Sequence, residues 1–237
     1  EKLLYNYHLE NEEENFNIDP ALIEQAITRK TKAILPVHIF GQSAEMDEIM
    51  TIAKKYNLKV LEDSCESLGA TYRGNKVGTT GDIGTYAFYP NKQITTGEGG
   101  MVVTNSKEIY NLCDSMRNQG RGDSTEWLVH ERLGYNYRMD EMSASLGITQ
   151  LKKIDWMIEE KRKIASWYNE YLNAYAKHIQ TPWIAPDNVH SWFVYTVLLR
   201  NKKLKRDDVI MKLVERGVSA KPYLPSIHLF SFYREKF

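Results

Sequence analysis

Hydrophobic and polar positions along the first hundred residues follow two alternating periods, which predict helices and strands in turn. Asp19 and Pro20 have the order of a helix cap followed by a proline at the first helical position, and ALIEQAI continues as a short amphipathic helix. The compact apolar run AILPVHIF, with breaks on both sides, predicts a strand. Apolar residues then recur at helical spacing through MDEIMTIAKKYN, which predicts a second helix.

Three further apolar runs, LKVLED, GTYAFYP and GGMVVT, predict three more strands, and Ser106 can cap a helix after the last of them. The predicted inner face of this helix consists of Ile109, Leu112, Cys113 and Met116. Because strands and helices alternate, we expect an α/β fold with a largely parallel sheet covered on both faces. Ligands of such sheets bind beyond the carboxyl ends of the strands, which is where Asp63 and Lys92 fall.

The second half of the chain has a different pattern. From Met139 to about Tyr175 it is helical but too long for one ordinary helix, so Gly147 marks either a bend or a close contact. WFVYTVLL then predicts a strand, RDDVIMKLVERG a helix and VSAKPY another strand, which together form a small α/β unit. We therefore predict a large domain over residues 1–153 and a smaller C-terminal domain over residues 154–237.

The composition is that of an ordinary globular protein without net charge. Of 237 residues, 42% are hydrophobic and 26% charged, and 31 Lys and Arg residues balance 31 Asp and Glu residues. This balance argues against a nucleic-acid-binding protein and gives no reason to expect binding to an anionic membrane surface. No segment approaches the roughly 18 consecutive apolar residues of a membrane helix.

The two cysteines and the chain ends carry less information. Cys65 and Cys113 have no CxxC pair or Cys/His cluster around them, so neither a metal site nor a disulfide framework is predicted, and two free thiols fit a reducing cytoplasm. The chain opens on EKLLYNYHLE, without an initiator Met or the apolar segment of a signal peptide, and stops at YREKF. We expect both ends to be incomplete.

Two candidate site residues follow predicted strands. Lys92 comes after an apolar, aromatic run, and partial shielding from water would make its amine a better nucleophile for a carbonyl; the alternative is a surface lysine at a strand end. Of the adjacent carboxylates Glu62 and Asp63, we expect only one to point into a site, where a pyridinium nitrogen is one partner for a buried carboxylate. The alternative is that Asp63 caps a short helix.

A glycine-rich segment and a histidine lie near these residues in the sequence. TTGEGG, from Thr95 to Gly100, can bind an anion through backbone N–H groups or form a tight turn between strands. Its spacing matches neither a dinucleotide-binding fingerprint nor a Walker A loop. A lone histidine such as His38, in PVHIFGQ, more often has a structural than a catalytic role.

Several motifs occur in one order with close spacing: PVHIFGQ, LEDSCESLGA, GDIGTYAFYPNKQITTGEGGMVVT, RNQGR and LGYNYRMDEMSASLG. Through them the sequence resembles the DegT/DnrJ/EryC1/StrS family of sugar aminotransferases, from about Phe16 to Phe237. The resemblance implies an aspartate-aminotransferase-like (fold type I) α/β fold, with a mostly parallel sheet between helices and a smaller C-terminal α/β domain. It also implies pyridoxal 5'-phosphate as the cofactor.

The resemblance also implies roles for individual residues. Lys92 would form the Schiff base with the cofactor and then act as general acid and base, and Asp63 would pair with the pyridine nitrogen. Glu66 would lie beside the cofactor ring. Asn136, in GYNYR, would reach the cofactor phosphate of a neighbouring subunit, so the protein would be a homodimer with shared active sites.

Substrate contacts are expected from two regions of the second half. These are residues 183–195 and residues 220–228, and within the latter Lys221 and His228 are the candidates; both could equally be surface or packing residues. The implied reaction transfers an amino group from L-glutamate to a nucleotide-linked keto-deoxysugar, for polysaccharide or glycoside biosynthesis.

Two other functions remain open at this point. Some relatives carry His in place of the lysine and are pyridoxal-phosphate-dependent sugar dehydratases, so the presence of Lys92 favours transamination. Many relatives carry Ser where Ala87 stands, and that hydroxyl helps to bind the phosphate. Neither the Gly-Thr or Gly-Ser phosphate turn nor the aromatic residue that stacks on the pyridine ring is identifiable in residues 1 to 20. This leaves a non-catalytic or regulatory protein of the same fold as the other alternative.

Overall fold

A computed structural model describes the chain over residues 2–5, 15–122, 129–223 and 229–236. Within these ranges the strands are β1 (Lys2–Tyr5), β2 (Thr31–Leu35), β3 (Lys59–Asp63), β4 (Thr71–Tyr72), β5 (Asn75–Lys76), β6 (Ile83–Ala87), β7 (Gly100–Val103), β8 (Ile179–Gln180), β9 (Asn188–Val189) and β10 (Leu198–Leu199). The α-helices are α1 (Pro20–Ala26), α2 (Met46–Lys55), α3 (Lys107–Arg117), α4 (Glu141–Leu151), α5 (Ile154–Leu172), α6 (Arg206–Glu215) and α7 (Ser231–Arg234).

The central sheet has five strands in the order β1-β2-β3-β6-β7. The strands from β1 to β6 in this order are parallel, and β7 pairs with β6 in the antiparallel direction. The crossover from β2 to β3 contains α2, which packs against both strands. The predicted mostly parallel α/β sheet is therefore confirmed. β2 is shorter than the predicted strand AILPVHIF because Pro36, which has no N–H for the ladder, follows its last residue.

The apolar core joins α1, α2, β2, β3 and the β4–β5 hairpin. Its buried members are Ile18, Ile23, Ile34, Ala44, Met46, Ile49, Ile52, Ala53, Val60, Ala70, Tyr72 and Val77. On α2 the buried residues form one stripe at helical spacing, as the sequence predicts. Each fully buried aliphatic side chain stabilises the fold by about 1.5–3 kcal/mol relative to an exposed one, so this cluster fixes α2 on the sheet.

The starts of two helices agree with the sequence prediction, but the burial of one does not. The Asp19 carboxylate accepts the N–H of the second residue of α1 at 2.9 Å, and the Ser106 hydroxyl accepts the N–H of Ile109 at 3.3 Å at the start of α3. The predicted inner face of α3 is wrong for Leu112 and Met116, which are 39% and 41% exposed. Periodicity identifies the apolar side of a helix but not whether another element covers it.

The long helical segment divides at Lys152 and Lys153, between α4 and α5. The N–H of Lys153 donates to the carbonyl of Gln150, three residues back, which tightens the chain after α4. Gly147 lies inside α4, where a Cβ atom would come 2.9 Å from Cγ2 of Thr96. The predicted bend at Gly147 is therefore wrong, and the alternative, a close contact, is confirmed.

Two strands predicted in the second half are mostly irregular in the structure. Of WFVYTVLL, only Leu198–Leu199 forms a strand. Trp192 has a φ of +52°, in the left-handed region, and the N–H of Phe193 donates to the carbonyl of Phe40 at 3.0 Å instead of to a neighbouring strand. The segment VSAKPY is also irregular. The helix between them, α6, is present as predicted.

The chain divides into two compact units. The larger contains Glu1–Ser166 and Trp183–Tyr195, and the smaller contains Trp167–Pro182 and Thr196–Phe237. In the smaller unit β8 pairs with β10 in the antiparallel direction. The predicted domain boundary near Ile154 stays a prediction. No helix within the described ranges combines the length and the hydropathy that a membrane span requires.

Candidate active site

The candidate site lies at the carboxyl edge of β3 and β6, which are parallel neighbours. Asp63 is the last residue of β3 and pairs with Thr85 of β6. Lys92 lies in the connection that follows β6, where its N–H donates to the carbonyl of Tyr89 at 2.9 Å. The two residues therefore follow adjacent strands at the same edge of the sheet, in the position that the sequence pattern predicts for a ligand site.

The side chain of Lys92 is shielded from water and faces a carboxylate. Its Nζ lies 3.9 Å from Oε1 of Glu66 and 4.6 Å from the centroid of the Phe193 ring. The side chains of Lys92 and Glu66 are only 16% and 12% exposed, so the alternative of a surface lysine is wrong. An ammonium group in this place is attracted both by the opposite charge and by the negative face of the aromatic ring.

A left-handed turn orients Glu66. Oε2 of Glu66 accepts the N–H of Phe40 at 2.9 Å. Phe40 has a φ of +63°, a conformation that costs on the order of 1–3 kcal/mol for a residue with a side chain and that clusters at functional sites. The carbonyl of Phe40 accepts the N–H of Phe193. The same turn thus holds both the carboxylate and the aromatic ring beside the Lys92 amine.

The carboxylate of Asp63 makes its contacts with Cys65, two residues further along the chain. Its Oδ1 accepts the N–H of Cys65 at 3.0 Å, which is the bond of an Asx turn. The chain continues in turns through residues 64–70, so the interpretation of Asp63 as the cap of a short helix is wrong. Burial and the negative charge of Asp63 raise the pKa of the Cys65 thiol to about 12, against the opposing charge of Lys92. The thiol therefore lies within electrostatic reach of both site residues.

Glu62, next to Asp63, is fully buried, and its side chain points to the opposite face of the sheet. Its carboxylate accepts four hydrogen bonds, from Nε2 of His38 (3.0 Å) and from the N–H groups of Gly78 (2.8 Å), Thr80 (2.7 Å) and Gly81 (2.6 Å). Burial alone would raise the pKa of this carboxyl, but the His38 side chain and the backbone N–H groups outweigh it and hold the pKa below its ordinary value. Of the two adjacent carboxylates, only Asp63 can serve a ligand.

A segment distant in sequence reaches the surroundings of Lys92. Gln93 donates from Nε2 to the Ser191 hydroxyl at 3.1 Å and also to the carbonyl of Glu66. A Cβ atom on Gly41 would lie 2.8 Å from Oγ of Ser191, so the loop after β2 and the segment 183–195 pass at backbone distance. Residues 183–195, predicted from the sequence as a substrate region, therefore also contact the residues around Lys92.

Sequence reasoning missed Phe40, Gln93 and Phe193 as members of the site. Each acts through a contact with a residue far away along the chain, which no local pattern indicates. One local signal exists, since Gly41 directly follows Phe40 and has a φ of +113°, as a tight turn in the chain requires.

Of the three remaining predicted site residues, two are exposed and one lies outside the described residues. Asn136 is exposed, and its backbone pairs with that of Asn118. Lys221 is exposed, and His228 lies outside the described residues. The roles expected for Asn136, Lys221 and His228 therefore stay predictions.

The glycine-rich segment Thr95–Gly100 connects the antiparallel strands β6 and β7. The N–H of Thr96 donates to the carbonyl of Phe88 at 3.0 Å, and Gly97 and Gly99 have φ values of +84° and +149°. This geometry is that of a turn between strands, which was one of the two interpretations of the motif. Among the described residues no group of three or more His, Cys, Asp or Glu side chains could hold a metal ion.

Solved structures define the class of this fold. The chain superposes with a TM-score of 0.87, at 33% identity, on the S. venezuelae protein DesV in complex with a ketimine intermediate, and the match covers 96% of this chain and 60% of that one. An E coli GDP-4-keto-6-deoxy-D-mannose-3-dehydratase with bound hydrated PLP gives a TM-score of 0.87 at 28% identity, over 96% of this chain and 62% of that one. The fold is the aspartate-aminotransferase-like fold of type I, as predicted.

The chain belongs to the DegT/DnrJ/EryC1/StrS aminotransferase family, whose sequence model matches residues 7–237. It is 37% identical over 226 residues to the GDP-perosamine synthase of Caulobacter vibrioides. That match covers 95% of this chain and 61% of the synthase, so the chain spans about three-fifths of the length of this relative.

Proposed function

We propose that the protein is a pyridoxal-phosphate-dependent sugar aminotransferase, which moves an amino group from L-glutamate to a nucleotide-linked keto-deoxysugar for polysaccharide or glycoside biosynthesis. The observation that carries the proposal is Lys92, a shielded amine 3.9 Å from the Glu66 carboxylate at the carboxyl edge of the sheet. Membership of an aminotransferase family and 37% identity to a GDP-perosamine synthase support the reaction and the nucleotide-linked substrate.

The residues of the site fit pyridoxal 5'-phosphate at two of its groups. Lys92 supplies the primary amine that condenses with a carbonyl. The carboxylate of Asp63, at the end of β3, is placed to accept a hydrogen bond from a protonated ring nitrogen. When bound, the cofactor supplies an electron sink for bond breaking at the neighbouring carbon.

The chain's own groups would then hold and move protons. Nζ of Lys92 takes up a proton from one carbon and returns it to another, and a positioned general base of this kind contributes about 10²–10⁴-fold to a rate. The Glu66 carboxylate, which accepts the N–H of Phe40, would keep the Lys92 amine in place beside the cofactor. The Phe193 ring covers the amine and excludes water from that side.

The proposal also includes residues that would contact the substrate and a second subunit. Lys221 and His228 are candidates for contact with the nucleotide-linked sugar. Asn136 would reach the cofactor phosphate of a second subunit, in a homodimer with shared active sites. The side chains of Leu133 and Tyr137, close to Asn136 in sequence, are 80% and 72% exposed, which supports an interface in this region.

A cytoplasmic location is also part of the proposal. It is supported by Cys65 and Cys113, which are not joined in a disulfide. Such a location would give the protein access to nucleotide-activated sugars before their transfer.

A sugar dehydratase is the second candidate, because this chain superposes on a GDP-4-keto-6-deoxy-D-mannose-3-dehydratase with the same TM-score as on DesV. Lys92 favours amination, since its amine can both hold the cofactor and return a proton to it. The two candidates differ in what happens to the sugar: amination leaves the number of its hydroxyl groups unchanged, whereas dehydration removes one.

The test is the visible absorbance of the protein with added pyridoxal phosphate, before and after L-glutamate. A yellow band that shifts to the pyridoxamine form would establish the cofactor and the amino donor together. The mass of a nucleotide-linked ketosugar after the reaction would then separate the two candidates. An aminotransferase replaces the oxo group by an amino group, whereas a dehydratase removes a hydroxyl group. A folded protein without any band would contradict both and favour a non-catalytic role.

A further inference from the structure

The fully buried pair His38 and Glu62 lies directly behind Asp63 and has no part in the reaction proposed above. Both side chains are 0% exposed, and their Nε2 and Oε2 atoms are 3.0 Å apart. Along a strand successive side chains point to opposite faces, so Glu62 anchors one face of β3 while Asp63 presents its carboxylate on the other. A shift of β3 by one residue would exchange the two.

The hydrogen bonds of His38 fix how its ring is protonated. Nδ1 accepts the N–H of Ala44 at 3.0 Å, and a backbone N–H can only donate. The hydrogen of the neutral ring is therefore on Nε2, where it is donated to the Glu62 carboxylate. His38 thus connects the loop after β2 to the carboxylate of β3 by one acceptor and one donor.

The backbone of the same residue also holds Asp63. The N–H of His38 donates to the carbonyl of Asp63 at 3.0 Å, and the N–H of Asp63 donates to the carbonyl of Pro36 at 2.9 Å. His38 therefore contacts both members of the carboxylate pair, Glu62 through its side chain and Asp63 through its main chain. The backbone direction at Asp63, which sets where its carboxylate points, depends on this connection.

The other partners of Glu62 lie in a tightly packed loop, which makes the anchor rigid. Gly78 has a φ of +92°, and a Cβ atom there would lie 2.5 Å from Oη of Tyr86 and 2.7 Å from Oγ of Ser64. A Cβ atom on Gly84 would lie 1.9 Å from the carbonyl oxygen of Gly78. The loop therefore packs against β6 and the turn after β3 with no room for a side chain at Gly78 or Gly84, and this close packing restricts the position of the Glu62 carboxylate.

We propose that His38 is a positioning residue for Asp63: by holding the Glu62 carboxylate and the Asp63 backbone at once, it keeps the Asp63 carboxylate aimed at the cofactor's ring nitrogen. This inference rests on the proposed function, because it assigns Asp63 to that nitrogen. It predicts that His38 affects the state of the bound cofactor without touching it. Partners of this kind change ligand affinity by about 10- to 100-fold in well-studied metal sites.

Two substitutions of His38 separate its two hydrogen bonds. His38→Gln can retain a nitrogen donor near the position of Nε2 and so the bond to Glu62. His38→Asn can retain an acceptor near the position of Nδ1, and so the bond to Ala44, but is too short to reach Glu62. The two variants are alike in polarity and differ in the contact that the proposal requires.

The measurements are the dissociation constant of pyridoxal phosphate and the pH midpoint of its visible band in the holoprotein. We expect His38→Asn to weaken the binding of pyridoxal phosphate by about tenfold or more. We also expect the pH midpoint of the visible band to rise, because the cofactor ring withdraws electron density less strongly when its nitrogen is less protonated. We expect His38→Gln to stay within about threefold of the wild-type constant, with an unchanged midpoint.

A matched control comes from the opposite end of β3. The Asp82 carboxylate accepts the N–H of Val60 at 2.9 Å and the Lys59 ammonium at 2.7 Å. Asp82→Asn weakens this anchor of the same strand without changing the end that carries Asp63. We expect a lower melting temperature with an unchanged cofactor constant and pH midpoint.

The outcomes separate this inference from the proposed function. Wild-type protein that binds no pyridoxal phosphate would refute the proposed function, and this inference with it. Wild-type binding with equal constants and midpoints for the Asn and Gln variants would leave the function in place and overturn the role of His38. If His38→Asn does not fold, Glu62→Gln provides the same test, because its amide nitrogen would face the N–H groups of the loop and weaken the anchor.

Discussion

The strand-end region, residues 15–96, and the helical region, residues 129–172, differ in how their apolar side chains are covered. In the strand-end region Ile49 of α2 is fully buried, whereas in the helical region Met142 and Ile148 of α4 are 84% and 60% exposed. Both helices were predicted from the same kind of apolar spacing. Apolar spacing thus predicts a helix in both regions, whereas the burial of its apolar side depends on elements elsewhere in the chain.

The two regions also differ in what their charged groups do. In the strand-end region the Glu62 carboxylate is buried and receives four hydrogen bonds. In the helical region the ion pairs of Arg162 with Glu159 and of Lys163 with Glu160 join residues one helical turn apart, at about half exposure. Exposed pairs of this kind contribute roughly 0–1 kcal/mol each. We therefore expect the chemistry to depend on the strand-end region.

The largest expected effect is the loss of the cofactor band in Lys92→Ala. Without this amine no covalent attachment to the protein is possible, while the fold, which Lys92 does not support through the apolar core, should be intact. Absorbance with added pyridoxal phosphate and circular dichroism would measure the two. Lys153→Ala, an exposed lysine of the helical region, is the matched control and should keep the band. A retained band in Lys92→Ala would remove the lysine from its role.

A second test compares the two regions directly by stability. Ile49→Ala, in the core of the strand-end region, should lower the free energy of unfolding by about 2–5 kcal/mol, because it leaves a cavity. Ile148→Ala, on the exposed side of α4, should change it by no more than about 0.5 kcal/mol. Urea titration measures both. A large loss in Ile148→Ala would mean that α4 is covered in solution, which the proposed homodimer would explain.

Asp63→Asn is expected to weaken cofactor binding by up to about 3 kcal/mol, because a hydrogen bond to a charged group contributes roughly 1.5–3 kcal/mol. The loss should appear in the dissociation constant of pyridoxal phosphate and in a severely reduced rate of transamination. Asp155→Asn, on the exposed start of α5, is the matched control in the helical region and should leave cofactor binding and rate unchanged. Wild-type rates in Asp63→Asn would show that Asp63 only stabilises the turn to Cys65.

His190 gives the smallest effect and tests the segment that packs on the strand-end region. Burial lowers its pKa from 6.5 to about 4, so the unfolded chain binds a proton at pH values where the folded protein does not. Stability is therefore present above pH 6.5 and is lost as the pH falls towards 4, by about 2 kcal/mol at pH 5.

The variant His190→Asn isolates this contribution. Nδ1 of His190 accepts the N–H of Trp192 at 2.8 Å, and an asparagine oxygen can accept the same bond without titrating. Unfolding measured between pH 7 and pH 5 should lose less stability in the variant than in the wild type. Parallel pH dependences for the two proteins would show that His190 is open to water in solution.

The helices and the central-sheet strands of the strand-end region could be predicted from its own sequence, and the reason is local. From Asp19 to β3 the helix cap and the apolar period of α2 each act within a few residues. The segment 192–197 could not be predicted in this way, because its apolar run has the composition of a strand. Its path depends on Trp192 in a left-handed conformation and on a bond to the distant Phe40.

The same distinction applies to the candidate site. Lys92 and Asp63 were identified because each follows a strand within a specific motif, and the resemblance to the family added Glu66. Phe193 and the tie between His38 and Glu62 arise from contacts between segments far apart in the sequence. A single sequence carries no signal for such contacts, although PVHIFGQ and LEDSCESLGA were both recognised as motifs.

The raised pKa of Cys65 has a practical consequence for chemical labelling. A thiol with a pKa of about 12 is almost entirely protonated at neutral pH, and only the thiolate reacts readily with maleimides or iodoacetamide. A reactive-looking cysteine two positions from Asp63 would therefore be spared by these reagents. In a chain in which Cys113, the other free cysteine, is replaced by serine, fluorescent dyes or spin labels could be attached to cysteines introduced elsewhere on the surface while Cys65 stays in place beside Asp63.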